Sequence, residues 1–273
     1  MKIRLFRFSL LALAAMLVFA SCSEYQKTLK SNNYDIKYDM AVKYYDSKDY
    51  FRASTLLEEL LPISRATQKA EKIFYYYAYT QYYLGEYQMA AYHFDNFVRT
   101  YPKSTYTEEC NYMVAYCYYL DSPVYSLDQS NTAKAINEIQ LFINRYPTSA
   151  RVKDCNEIMD KLRQKLEIKS FENAELYFNM EEYKSAIFAF RNMLKDFPDT
   201  QYREKSMFYI LKSSYLLGVN SVEEKKSDRL KAAVEAYNAY VDAYSTGGKY
   251  LKEAQLIFEN TVKQIDKLKK NNS

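Results

Sequence analysis

Four segments of this 273-residue chain carry the same apolar stripe and end in the same way. In each, an alanine is followed by large apolar residues four and seven positions on and by an aromatic at the eleventh. The sets are Ala90, Phe94, Phe97 and Tyr101; Ala135, Ile139, Phe142 and Tyr146; Ala186, Phe190, Met193 and Phe197; and Ala233, Tyr237, Tyr240 and Tyr244. That spacing lines one face of an α-helix, with the small residue where a neighbouring helix crosses closest. Three of the four segments close on proline (Pro102, Pro147, Pro198), whose ring blocks continuation and which has no N–H to donate. Repetition on this scale predicts helix pairs stacked into a solenoid, an architecture that serves binding more often than catalysis.

A second periodicity marks the partner helices. Ala41, Ala78 and Ala115 recur at a spacing of 37, as do Tyr38, Tyr75 and Tyr112, and Tyr45, Tyr82 and Tyr119, with Val42, Tyr79 and Tyr116 as a fourth set. These belong to the first helix of each repeat, and Ala53, Ala90 and Ala135 to the second. Tyr50 and Tyr87 precede two of those alanines by three, after turns at Lys48-Asp49 and Gly85-Glu86. The third repeat carries a longer loop over 121–132 around Pro123. A stretch over 149–179 has neither proline nor glycine and turns at 180–183. The fifth pair reads as 203–218 and 230–244 with a charged loop over 223–228 between them. Beyond Gly247-Gly248, Leu251, Ala254, Phe258, Ile265 and Leu268 share one face of a final amphipathic helix whose lysines point outward, as a solenoid's cap requires.

These features resemble tetratricopeptide repeats. Two antiparallel helices approach closely only where side chains are small, and each pair leaves an apolar face for the next. The expected fold is an all-α, right-handed solenoid of about five such pairs with a C-terminal capping helix. It divides into repeats one to three over 34–148 and repeats four and five plus the cap over 149–273.

The N-terminus reads as a targeting segment. Lys2, Arg4 and Arg7 precede an apolar run over 8–19, shorter than the ~20 residues a spanning helix needs. The run ends in Phe19-Ala20-Ser21-Cys22, which resembles a bacterial lipobox, so residues 1–21 form the signal peptide and Cys22 the acylated first residue. An ordinary secretory signal with an incidental cysteine is the other reading. Residues 22–33 then form a polar tether. Acyl chains at about 0.8 kcal/mol per buried CH₂ make a stable membrane anchor.

Composition excludes much chemistry. Removing the three basic signal residues takes the formal charge from +4 to +1, which gives no reason to invoke nucleic acid. Four glycines (Gly85, Gly218, Gly247, Gly248) cannot assemble a phosphate-binding loop. His93 is the sole histidine, so no histidine-rich metal site is possible and any nucleophile system would have to rest on it. Cys110 and Cys117 lie on one helix, about 10 Å apart along its axis, too far for a disulfide. With Cys155 they read as buried thiols acting as small hydrophobes. Glu58-Glu59, Glu108-Glu109 and Glu181-Glu182 read as solvated faces rather than paired catalytic carboxylates. Thr105 and Glu108 match a capping box, and Ser104, Ser149 and Thr200 read as N-caps of the helices after each proline. No catalytic residue, metal site or cofactor is expected.

Tyrosine is the functional lead, with 31 residues and no tryptophan. Tyr75, Tyr79 and Tyr82 fall on one helix face, as do Tyr112, Tyr116 and Tyr119, with Tyr38 and Tyr45 at the matching positions of the first repeat. Stacked in adjacent repeats they would form an aromatic surface suited to an extended peptide, because tyrosine offers large area and a hydroxyl at low entropic cost. Filling the helix interfaces is the alternative role.

The lipobox, the five repeats and the endings in aromatic-Pro-x-Ser/Thr together resemble the BamD family, lipoproteins of the outer-membrane β-barrel assembly machine. The similarity is greatest from Tyr146-Pro147-Thr148-Ser149 through Phe197-Pro198-Asp199-Thr200-Gln201, including 174–178. The resemblance implies a non-enzymatic adaptor, lipid-anchored in the outer membrane. Its N-terminal repeats would receive unfolded outer-membrane proteins on the tyrosine face, and its C-terminal repeats would dock on the barrel subunit, BamA. Arg191 and Arg203 are candidates for that docking edge. Ser23-Glu24-Tyr25-Gln26 lacks the acidic run that often follows a surface-displayed lipoprotein cysteine, so the chain is expected to face the periplasm. Other classes remain open: a cell-envelope or division-linked tetratricopeptide scaffold, and a glycan-binding lipoprotein of the SusD type. The absence of tryptophan speaks against the second.

Overall fold

A computed structural model describes residues 24–65 and 67–271. Among these the regular structure is entirely helical. Eleven helices follow a short helical segment over 24–29: α1 (Tyr34–Asp46), α2 (Tyr50–Ser64), α3 (Ala70–Tyr83), α4 (Tyr87–Thr100), α5 (Thr107–Leu120), α6 (Ser130–Arg145), α7 (Val152–Asn179), α8 (Tyr183–Asp196), α9 (Arg203–Val219), α10 (Glu223–Tyr244) and α11 (Leu251–Asn271). They form two compact units. Among the described residues the first comprises those of 24–123 together with 128–159, and the second comprises 124–127 and 160–271, with the division inside α7.

In the first unit α1 through α6 pack each on the next, and α1 also touches α3. Helix pairing is set by the turns. The pairs α1/α2, α3/α4 and α7/α8 are each joined by three residues, with Lys48, Gly85 and Glu181 at φ of 64°, 83° and 62°. In each turn the next N–H reaches back to the helix: Asp49 to the Tyr44 carbonyl at 2.8 Å, Glu86 to Gln81 at 3.0 Å and Glu182 to Tyr177 at 3.0 Å. This is a Schellman closure, which satisfies the last carbonyls and reverses the chain through one left-handed residue. Only Gly85 takes that conformation without steric cost; Lys48 and Glu181 are held in it by the surrounding hydrogen bonds.

The stripes define the core. Ala90, Phe94, Phe97, Ala135, Ile139, Phe142, Ala186, Phe190 and Met193 are all essentially inaccessible. Their helices stop where the sequence places the stop. Tyr101, Tyr146 and Phe197 are the C-caps, at φ near −125° and ψ of 59°, 61° and 73°, because the following proline pushes its predecessor out of the helical basin. Another stripe, Ala53, Leu57, Leu60 and Ser64, lies equally buried in α2; it ends on serine instead of an aromatic. The second unit's core joins Phe171 and Ala174 of α7 to Ala186, Phe190, Phe208, Leu211, Tyr240, Ala254 and Ile257. Gly218 belongs to the α9/α10 crossing, where an added Cβ would stand 2.7 Å from Leu230 Cδ2.

Four sequence expectations are corrected. The charged stretch 223–228 is not a loop; it forms the first turns of α10. Residues 24–33 are not a free tether: Thr28 is buried, and Tyr25 and Leu29 pack on the α1/α2 core. The N-caps are Tyr106 and Tyr202 for α5 and α9, not Ser104 and Thr200, and neither makes a side-chain cap bond. The Thr105–Glu108 capping box does not form, because α5 starts at Thr107.

The close crossings set the expected cost of disturbing them. Ala90→Leu and Ala186→Leu should each destabilise the fold by about 1–3 kcal/mol through overpacking, read as a lower urea midpoint at unchanged slope. Tolerance of both substitutions would mean that the helices can separate at these points.

Candidate binding surface

Three first helices, α1, α3 and α5, carry the eight tyrosines singled out from the sequence. On α3, Tyr75 and Tyr79 lie with ring centroids 4.8 Å apart, and Tyr79 and Tyr82 6.2 Å apart. Tyr82 meets Tyr116 of α5 at 6.3 Å, and Tyr116 stacks on Tyr112 at 5.6 Å and contacts Tyr119 at 5.8 Å. The rings therefore run continuously from α3 onto α5. Tyr45 of α1 joins through Tyr76 at 4.8 Å and Tyr83 at 6.1 Å, while Tyr38 lies under the Lys69 ammonium at 4.6 Å. Burial divides the set. Tyr79 and Tyr112 are buried at 7% and 8% exposure, whereas Tyr38, Tyr45, Tyr75, Tyr82, Tyr116 and Tyr119 are half-buried.

The inner end of this ladder is tied to a carboxylate. The Tyr75 and Tyr79 hydroxyls donate to Glu109 at 3.2 and 2.7 Å. Arg151 stands 3.7 Å from the same carboxylate and 4.5 Å above the Tyr112 ring. Related bonds recur along the chain. Ser104 donates to Glu71 at 2.5 Å, Ser149 to Glu108 at 2.6 Å, Thr200 to Glu167 at 2.5 Å, Tyr209 to Glu175 at 2.9 Å and Tyr240 to Glu204 at 2.8 Å. The Ser104, Ser149 and Thr200 hydroxyls also accept the N–H two residues on, which fixes the turn after each proline. Glu109, half-buried, thus belongs to the contact between successive helix pairs, while Glu108 stays exposed and accepts from Ser149. Sequence reasoning missed these latches. Their signal is a glutamate about one repeat length before a hydroxyl residue, which is visible only once the helix boundaries are known.

Burial, reinforced by Glu109, raises the phenol pKa of Tyr75 and Tyr79; burial and the nearby Cys155 push Tyr112 up to about 12. Tyr209, half-buried and bonded to Glu175, is also raised to about 12 by desolvation and that bond. Below pH 10 these phenols are protonated whether the chain is folded or not. Between pH 10 and 12 the unfolded chain releases protons that the fold retains, so stability falls as pH rises. Alkaline titration should show helix loss and tyrosinate absorbance rising together in that window. Tyrosinate forming in full at its ordinary pKa with the helical signal intact would contradict this burial. Glu109→Ala should cost about 1–3 kcal/mol of stability, because two hydroxyls and Arg151 lose a charged acceptor.

The other sequence candidates lie apart from the ladder. Arg191, exposed on α8, edges a cleft of about 300 Å³ lined by Leu194, Met207, Ile210 and Ala236, with Glu235 among its walls. Arg203, exposed at the start of α9, donates to the Pro198 carbonyl at 3.0 Å. Cys22 lies outside the described residues. His93 packs edge-on against Tyr77 at 4.6 Å, and burial lowers its pKa. Cys110, Cys117 and Cys155 are buried free thiols, and burial holds Cys117 up at about 12. Among the described residues no His/Cys/Asp/Glu cluster could hold a metal, and no helix is long and apolar enough to cross a membrane.

The profile of one family, YfiO, described as outer membrane lipoprotein, matches residues 31–230. The chain belongs to the YfiO family. The match runs from just before α1 into α10 and takes in the whole tyrosine ladder. No curated protein matches the chain. Among solved structures, the TPR2AB-domain:pHSP90-complex of yeast Sti1 is similar over 84% of this chain and 98% of that one, at 15% identity and a TM-score of 0.40. YfiO membership makes the chain an outer-membrane lipoprotein, and its helices pair in the manner of tetratricopeptide repeats.

Proposed function

We propose that this YfiO-family chain is a non-enzymatic adaptor of outer-membrane β-barrel assembly, anchored through acylated Cys22 and facing the periplasm. In this reading unfolded outer-membrane proteins bind on the tyrosine ladder of the first unit, and the second unit docks on a BamA-like barrel subunit. The observation that carries the reading is the ladder itself: five half-buried tyrosines (Tyr45, Tyr75, Tyr82, Tyr116 and Tyr119) contiguous with the buried Tyr79 and Tyr112, within a family of outer-membrane lipoproteins. Such rings give an extended chain flat apolar area plus hydroxyls for its backbone, which suits recognition of many related sequences. Tyr79 and Tyr112, being buried, hold the platform in place, and Tyr75, Tyr82, Tyr116 and Tyr119 offer the contact faces. In the second unit the Arg191 cleft supplies an apolar recess with a cation at its edge, a fit for an acidic partner edge; Arg203 is the weaker docking candidate because its guanidinium is engaged by Pro198.

Peptides matching the C-terminal strand of an outer-membrane β-barrel should bind the mature chain. Tyr116→Ala and Tyr119→Ala should each weaken that binding about tenfold, equivalent to ~1.4 kcal/mol, with helical content unchanged. Undiminished binding by both variants would remove the ladder from the substrate site.

A further inference from the structure

The described segment that follows Cys22 in the sequence packs against the first unit. Residues 24–29 are helical and docked rather than trailing. Glu24 lies 3.5 Å from Lys43 in the last turn of α1, the Tyr25 ring packs on Tyr44 at 5.8 Å, and the Arg52 guanidinium sits 5.4 Å above Tyr25. The segment therefore begins beside the α1/α2 turn. In the sequence Cys22 precedes Glu24 by two residues.

The same edge of the unit exposes large apolar side chains. Phe51, in the first turn of α2, is 70% exposed. Tyr83 and Leu84, at the α3/α4 turn, and Met89, in the first turn of α4, are 47%, 39% and 47% exposed. The two turns are joined by Tyr50 stacked on Tyr83 at 4.4 Å, with Tyr45 against both. The charges at this edge, Lys43, Lys48 and Arg52 against Glu24, Asp46, Asp49 and Glu86, nearly cancel, so an electrostatic partner is not what the surface selects. Exposed aromatic and aliphatic side chains among mixed charges are the chemistry of a headgroup interface.

We infer that the turn edge bearing Phe51, Tyr83, Leu84 and Met89 seats on the phospholipid interface that holds the Cys22 acyl chains. This inference rests on the acylation of Cys22 in the function proposed above. The docked segment converts a lipid anchor, which alone fixes only distance, into an oriented attachment, with the hairpin turns of the first two repeats against the lipid. The first unit then meets its partners with one edge already committed.

The chain has no tryptophan, so single tryptophans report unambiguously. Lipidated full-length Phe51→Trp and Ile63→Trp would be placed in phosphatidylethanolamine–phosphatidylglycerol vesicles carrying brominated acyl chains. Ile63 is a control, 43% exposed in the last turn of α2 and about 18 Å along the helix from Phe51. Strong quenching and a blue shift at position 51, with position 63 unaffected, is the expected result. No quenching at 51 while the protein floats with the vesicles would overturn the seating and leave the anchor intact. Equal quenching at both positions would overturn the assignment to this edge. Failure of the chain to float, identical to that of Cys22→Ser, would overturn the acylation reading and the inference with it.

Discussion

Everything in this molecule depends on the close approach of helices at alanine. Ala41, Ala53, Ala78, Ala90, Ala135, Ala186 and Ala254 have no accessible surface, so at each crossing a methyl group is all that separates one helix from its neighbour. That approach brings the large residues four and seven positions on into contact with the same neighbour, and each pair then offers its outer face to the next. A solenoid built this way buries its apolar residues between successive helix pairs. What it provides is a surface of repeated side chains at fixed spacing, and the chain fills one such row with tyrosine.

The tyrosines then face a conflict between packing and recognition, which the carboxylates resolve. A buried phenol needs a hydrogen-bond partner, and Glu109 provides one for both Tyr75 and Tyr79 while Arg151 offsets its charge. The polar ends of the rings are thereby pinned across a repeat boundary and their orientation is set. The same solution recurs with Glu175 and Tyr209 and with Glu204 and Tyr240 in the second unit. Hydroxyl-to-carboxylate latches thus join the repeats along edges that the apolar stripes leave open.

Helix existence and the buried stripes were legible in the sequence because both follow from spacing: alanine, then +4 and +7, then an aromatic held out of the helix by proline. The stripe of α2 escaped because Ser64 stands where an aromatic was expected, though it is as buried as its counterparts. Local polar chemistry was misread for a consistent reason. Ser104, Ser149 and Thr200 satisfy a backbone N–H and a glutamate one repeat back at once, and a one-dimensional cap rule sees only the first role. The charged run 223–228 reads as a loop by composition, but it lies on the first turns of a 22-residue helix, where Glu223 and Glu224 favour the N-terminal dipole, Lys225 is exposed and Lys226 pairs with Glu223 at 3.0 Å. The tyrosine positions were visible; their division into buried and half-buried members was not, because that depends on which rings the next repeat covers.

The most direct measurement is purification of the tagged chain from detergent-solubilised membranes of its own cell, with quantification of what accompanies it. The account predicts a stoichiometric β-barrel protein bearing repeated periplasmic domains, retained in Tyr116→Ala and reduced in a variant carrying a reversed charge at Arg191. Recovery of peptidoglycan-binding or division proteins in its place, with no barrel partner, would contradict the assembly role while leaving the scaffold intact.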